Sequence, residues 1–270
     1  MCKFIAMPVF AQDFSNTFDT AKIRPSQPTQ VVQKKSSTVK LPGPKPISKE
    51  LSLGFRINTD GWGIFMDYGT SRPIDTKHGD RFYNLGLWQF EFTEKKNPRE
   101  EKSSSGSTSN GSGSSSFIFG KINNFYVFKP GYGVRTMIAG KPDDQGAVSI
   151  HWVNLGGPAI GILKPYYLNV SGDPVAIKYS DATKTDFLDP NLVISSAGFG
   201  KGISESKVIP GVHFKSALHF DFTGNLRNVI AVETGVNAEY YFQDIQLMAN
   251  IAPTNYFVDV YLSFQFGRRW

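Results

Sequence analysis

Of the 270 residues only Cys2 is a cysteine, so the chain has neither a disulfide framework nor a cysteine-based zinc site. Also absent is any run of 18 apolar residues, which excludes a membrane-spanning helix. A membrane β-barrel stays open, because its strands are short and half polar. Charge is sparse, at 19% of residues, and the net value of +6 misleads until it is divided along the chain. Residues 1–50 hold eight of the 29 Lys and Arg against Asp13, Asp19 and Glu50, leaving 21 basic and 20 acidic residues for 51–270. The basicity belongs to a tail, not to a folded face, and no nucleic-acid partner is expected.

What is present is 40% hydrophobic residues, 14% aromatics, 26 Gly and 16 Pro, a balance and length that suit one large all-β domain. Met1–Ala11 sets a short apolar stretch after Lys3 and small residues at Val9 and Ala11, the pattern of the end of a secretory signal cut before Gln12. Residues 12–49 place Pro25, Pro28, Pro42, Pro44 and Pro46 among Ser, Thr, Gln and Lys. Such a stretch cannot bury enough apolar area to offset its ordering entropy. It is expected to be a disordered arm that reaches a periplasmic or envelope protein, with the folded domain over 50–270.

From Leu51 onward the period is two, which puts successive side chains on opposite faces. In Gly211–Phe222 the apolar face is Val212, Phe214, Leu218, Phe220 and Phe222, and the polar face His213, Lys215, His219 and Asp221. Asn228–Phe242 sets Ile230, Val232, Val236, Ala238, Tyr240 and Phe242 against Glu233, Asn237 and Glu239. The last segment sets Tyr256, Val258, Val260, Leu262, Phe264 and Phe266 against Asp259, Ser263 and Gln265. Earlier segments put Arg56, Asp67, Glu91, Lys129, Arg135 and His151 on the polar face.

A soluble sandwich alternates too. Two features favour a membrane barrel: segments of about 9–15 residues, against roughly 5–6 in globular strands and 9–11 for a tilted crossing, and aromatics near segment ends. Those aromatics are Trp62, Tyr68, Tyr166, Tyr167, Tyr240, Tyr241, Tyr256 and Trp270. The fold class is then all-β, a closed antiparallel up-and-down transmembrane barrel whose lumen holds the charged face.

Turn signals at Asp60-Gly61, 72–80, 96–116, 122–124, 140–146, Gly156-Gly157-Pro158, 171–210, 223–227 and 249–254 divide the chain into ten strands. If Phe117–Lys121 is not a strand the number falls to eight, with the Ser/Gly-rich 103–116 run on the other side. Pairing Phe222 with Asn228 brings Lys215 opposite Gly235, diagonal to Glu233. Gly131 and Gly133 around Pro130 suggest a bulge and not a phosphate loop, since no helix follows. Asp189-Pro190-Asn191-Leu192 is placed to begin a short helix.

With Val9-Phe10-Ala11-Gln12 at one end and Tyr256-Phe-Val-Asp-Val-Tyr-Leu-Ser-Phe-Gln-Phe-Gly-Arg-Arg-Trp270 at the other, the chain resembles bacterial outer-membrane β-barrel proteins, particularly the small Bacteroidota-type barrels. The resemblance implies an outer-membrane location among lipid, and a last strand whose Phe264, Phe266 and Trp270 are read by the barrel-assembly machinery. It carries over no activity.

The inward face permits chemistry in principle. His219 and Asp221 lie two apart on one face, within reach of a hydrogen bond, and His213 is near, so these three are the candidates for a hydrolytic site on lipid or peptide. Against that stands the demand that charged side chains filling a narrow barrel pair with one another, and no nucleophile context accompanies them. The expectation is therefore a structural or interaction component, or a narrow channel for small solutes, with a lumen network of Arg56, Asp67, Glu91, Lys129, Arg135, His151, Lys215, Glu233, Glu239 and Asp259. No metal and no cofactor is expected.

Overall fold

The computed structural model describes residues 48–71, 84–104, 116–140, 148–223 and 227–270. The signal and arm expected over 1–11 and 12–49 lie outside these, apart from 48–49, as do most of the 103–116 run and the connections at 72–80 and 140–146. Among the described residues thirteen strands occur in chain order: β1 (Lys49–Asn58), β2 (Gly61–Ser71), β3 (Asn84–Lys95), β4 (Lys102–Ser104), β5 (Ser116–Ile118), β6 (Asn123–Ala139), β7 (Ser149–Pro165), β8 (Tyr167–Val170), β9 (Ile177–Lys178), β10 (Val193–Ser196), β11 (Lys207–Asp221), β12 (Asn228–Ile245) and β13 (Thr254–Arg269). Eight of them close a barrel in the order β1-β13-β12-β11-β7-β6-β3-β2, every pair antiparallel.

The barrel strands run from 10 to 18 residues, enough to cross a bilayer at a tilt. Their alternation sorts by environment in the reverse of a soluble protein. Leu53, Ile64, Phe214, Val260 and Phe264 stand on the outer surface, while Arg56, Lys129, Lys215, Glu233 and Glu239 are buried within. A predominantly apolar exterior around a charged interior is the solution for a sheet solvated by hydrocarbon, since closure leaves no backbone edge unsatisfied. The register aligns Tyr68, Trp88 and Tyr132 across β2, β3 and β6 near one rim, with Trp88 and Tyr132 rings 4.8 Å apart. Trp62 and Tyr126 mark the other rim of the same strands. Tyr241, expected among these belt residues, faces inward and is fully buried, and Tyr166 and Tyr167 belong to the excursion beyond β7.

The barrel has the eight strands of the alternative division, and differs from the division into ten at two places. Gly156-Gly157-Pro158 is not a turn but the middle of β7, paired with β11 on one side. The glycine there answers a close approach: a Cβ on Gly157 would lie 2.3 Å from the Pro130 carbonyl oxygen on β6. We expect Gly157→Ala to cost about 1–3 kcal/mol through overpacking, read as a lower midpoint in denaturant unfolding of the reconstituted protein. Residues 117 and 118 pair only with Lys102–Ser104 in a small hairpin, outside the barrel.

Local expectations shift as well. The first hairpin turns at Thr59-Asp60, one residue early, because Asn58 pairs with Gly61. Pairing runs through Pro130 without a bulge on the β3 side, and the register shift of β6 against β7 falls at Met137/Ala139. A short α-helix, α1, is Lys184–Phe187; Asp189–Leu192 forms a turn whose Asn191 N–H donates to the Asp189 carboxylate at 2.9 Å.

With an up-and-down order both chain ends of the barrel sit at one rim, and the 96–122, 166–206 and 246–253 connections leave from the other. There their described residues pack together. Phe117, Ile122, Leu168, Val170, Phe187 and Val193 form a buried apolar cluster over the rim, with the small sheet β10-β8-β9 built on it. Below it Phe125, Val127, Ile209, Tyr241 and Ile245 fill the barrel mouth.

Candidate functional site

The interior is where the polar alternation delivers its residues, and the structure brings most of the predicted ones into two connected groups. The larger is a ladder of ion pairs. Lys215 Nζ lies 2.9 Å from Glu233 Oε1, Glu233 faces Arg56 at 3.5 Å, and Arg56 pairs closely with Glu91. Glu91 then meets Lys129 at 2.9 Å, Lys129 meets Glu239 at 2.8 Å, and Glu239 meets Lys95 at 3.1 Å. Lys95 closes the run on Asp259 at 2.6 Å and on Asp60 in the first hairpin at 2.8 Å. Burial pushes the Asp60 carboxyl up from its ordinary range, and Lys95 opposes that shift.

The second group sits toward the rim with the chain ends. Arg135 donates to Glu50 at 2.7 Å, Arg269 does the same from β13, and Arg269 also pairs with Asp221. Amide hydrogen bonds join the remaining wall: Gln89 donates to Asp67 at 2.6 Å and Gln265 to Asp67 at 2.9 Å. These contacts are chords across the lumen. Lys129 on β6 and Glu239 on β12 have two strands between them, as do Arg135 on β6 and Glu50 on β1.

Aromatic faces complete the hub. The Arg56 guanidinium lies 4.0 Å from the Tyr261 ring centroid and 4.8 Å from that of Phe65, and the Tyr261 hydroxyl donates to Glu233 at 2.7 Å. With desolvation this complete, each charge depends on its partners, and loss of one leaves the other stranded.

No family model matches the chain, and no curated protein matches it. Among solved structures it is similar to Ail, the attachment invasion locus protein of Yersinia pestis, in complex with the heparin analogue sucrose octasulfate: 12% identity over 83% of this chain and 100% of that one, TM-score 0.39. It is also similar to Neisserial surface protein A, NspA, at 6% identity over 83% of this chain and 97% of that one, TM-score 0.39.

The three catalytic candidates do not form one group. His219 and Asp221, placed within reach of each other by the sequence, turn to different partners. His219 meets Glu233 through Nδ1 at 3.3 Å and Arg135 through Nε2 at 3.4 Å, whereas Asp221 takes Arg269 and the Thr223 N–H. His213 contacts the Pro158 carbonyl at 3.1 Å through Nδ1. His151 packs edge-on to His219 with centroids 5.9 Å apart. The register anticipated for Lys215 is off by two: Lys215 pairs with Asn237 and Gly235 with Ala217, yet the Lys215–Glu233 ion pair forms, the long Lys side chain reaching four positions along β12 to Glu233.

Sequence reasoning passed over Glu50, Lys95 and Arg269. The period was available to find two of them: Lys95 continues Gln89, Glu91 and Thr93, and Arg269 continues Ser263 and Gln265. Phe264 and Phe266 stand on the outer face of β13, Trp270 is exposed just beyond its end, and the Trp270 carbonyl accepts the Ser48 and Lys49 N–H groups at 2.9 and 3.0 Å, closing the seam to β1.

Proposed function

We propose that the chain is an integral outer-membrane barrel acting as a structural and interaction component, in which a crossed interior holds rigid the wall that carries the folded cap. The observation that carries this reading is the inversion of the sheet, with aliphatic and aromatic side chains outward and the ion-pair ladder inward. In this reading the capped rim faces the cell exterior and the rim with the chain ends faces the periplasm. Residues 1–11 are then the end of a signal, 12–49 an arm toward a periplasmic or envelope partner, and Phe264, Phe266 and Trp270 the mark read by the assembly machinery. Kinship with the Bacteroidota-type barrels is the finer form of the same proposal.

A narrow path for small solutes is the weaker alternative, because the chords from Lys129 to Glu239 and from Arg135 to Glu50 occupy the space that a path needs. Detergent-solubilised protein is expected to show heat-modifiable gel migration and, in planar bilayers, no steady conductance. Steady unitary steps would overturn the sealed interior and favour passage. A protein that stays soluble and monomeric without detergent would overturn the membrane reading altogether.

A further inference from the structure

Lys164 stands on the lipid-facing side of the wall at the capped rim. On β7 the even-numbered residues face outward, Trp152 and Ile160 among them, and Lys164 belongs to that set. A cation on the lipid-facing surface is costly near the bilayer centre and tolerable only at the interface, where the side chain reaches headgroups. Lys164 lies at the capped rim, one residue from the end of β7. The excursion folds back over it: Nζ donates to the Phe199 carbonyl and lies 4.1 Å from the Phe199 ring centroid. The Phe199 ring in turn packs edge-on against Tyr126 of the outer wall, centroids 6.0 Å apart, while remaining 69% exposed.

Between this flap and the wall is a cleft of about 200 Å³ lined by Asn124, Tyr126, Lys164, Tyr167, Phe199 and Lys201, among others. Lys164 is only 5% exposed, and among the described residues neither it nor Lys201 has a carboxylate within ion-pair distance. The nearest acidic neighbours are already engaged. Glu94 accepts from the Trp62 indole at 2.7 Å and faces Lys96 at 3.4 Å, and Glu205 is held by Lys178 and by the Tyr167 hydroxyl, contacts that keep its carboxyl below the ordinary range. Two cations, one of them almost wholly covered and both with only already engaged carboxylates for neighbours (Glu94 for Lys164, Glu205 for Lys201), thus line one cleft together with Tyr126 and Phe199.

We propose that this cleft is a binding site for the phosphate of an anionic lipid headgroup, with Lys164 and Lys201 as its charged contacts and Phe199 as an apolar clamp lying among the upper acyl carbons. Lipid is the source favoured over free phosphate because Phe199 and the outer-wall Tyr126 give the site an apolar floor that a free ion does not use. The proposal rests on the membrane reading above.

The test uses the full chain reconstituted in bilayers of phosphatidylcholine with a minor share of phosphatidylglycerol, extracted gently and weighed by native mass spectrometry. Retention of phosphatidylglycerol over phosphatidylcholine is expected, falling about fivefold in Lys201→Gln and further in Lys164→Gln/Lys201→Gln, with heat-modifiable migration unchanged. Lys201 is exposed, so its replacement tests the site without touching the fold. Equal retention of the two lipids, or retention indifferent to both substitutions, overturns the site. Displacement of the lipid by millimolar inorganic phosphate, with phosphate bound in its place, overturns the lipid as its source. Failure of the chain to insert at all overturns the membrane reading and this proposal together, an outcome distinct from insertion without lipid preference.

Discussion

Glu233→Ala is expected to destabilise the barrel by about 3–5 kcal/mol, measured as a lower urea midpoint for unfolding from lipid vesicles at unchanged m-value. Glu233 is the carboxylate partner of Lys215 at 2.9 Å, a second acceptor for Arg56 at 3.5 Å, and the acceptor of the Tyr261 hydroxyl and His219. Removing it strands a fully buried ammonium and leaves the Tyr261 phenol without its acceptor. The companion double variant Lys215→Met/Glu233→Leu removes the charge along with its partner. It is expected to recover part of the loss, because an apolar pair of similar volume carries no desolvation debt. A double variant no more stable than Glu233→Ala would show that the two residues are not coupled and that the ladder is not the unit of interior stability.

Leu53→Arg reads the opposite face. Leu53 is 62% exposed in the middle of β1, between Phe266 of β13 and Met66 of β2. On a water-exposed surface the change is worth less than about 0.5 kcal/mol, whereas an arginine near the bilayer midplane costs about 2–4 kcal/mol. We expect the larger loss in vesicles, together with a reduced yield of heat-modifiable folded protein. The same substitution at Lys49, exposed at the rim, is the control and is expected to be neutral. A Leu53→Arg variant as stable as the parent would mean that something other than hydrocarbon covers this stripe.

Most of the barrel was legible in the alternation, since a period of two states which residues share a face whatever the pairing partner turns out to be. The inward placement of Arg56, Glu91, Lys129, Glu233 and Glu239 follows from that alone. Strand number was harder to read. Gly156-Gly157-Pro158 carries the composition of a turn, and only the approach of the Pro130 carbonyl from the neighbouring strand shows why glycine belongs in an extended segment there. The separation of Asp221 from His219 has a similar origin, because Arg269, 48 residues away along the chain, takes Asp221 at the β1–β13 seam.

What the sequence by itself determined is the two-faced character of the sheet and hence the kind of solvent on each side, because hydropathy at successive positions is a local property. Apart from Lys215 and Glu233 on adjacent strands, which charges meet was decided by the tertiary structure. Closure of eight strands sets which walls face each other, so that Lys129 finds Glu239 and Arg135 finds Glu50 across the lumen, and chain closure through β1 and β13 is a property of no single segment. The same holds for Lys164, whose exposure to lipid or to a cleft depended on where the excursion of residues 166–206 came to rest.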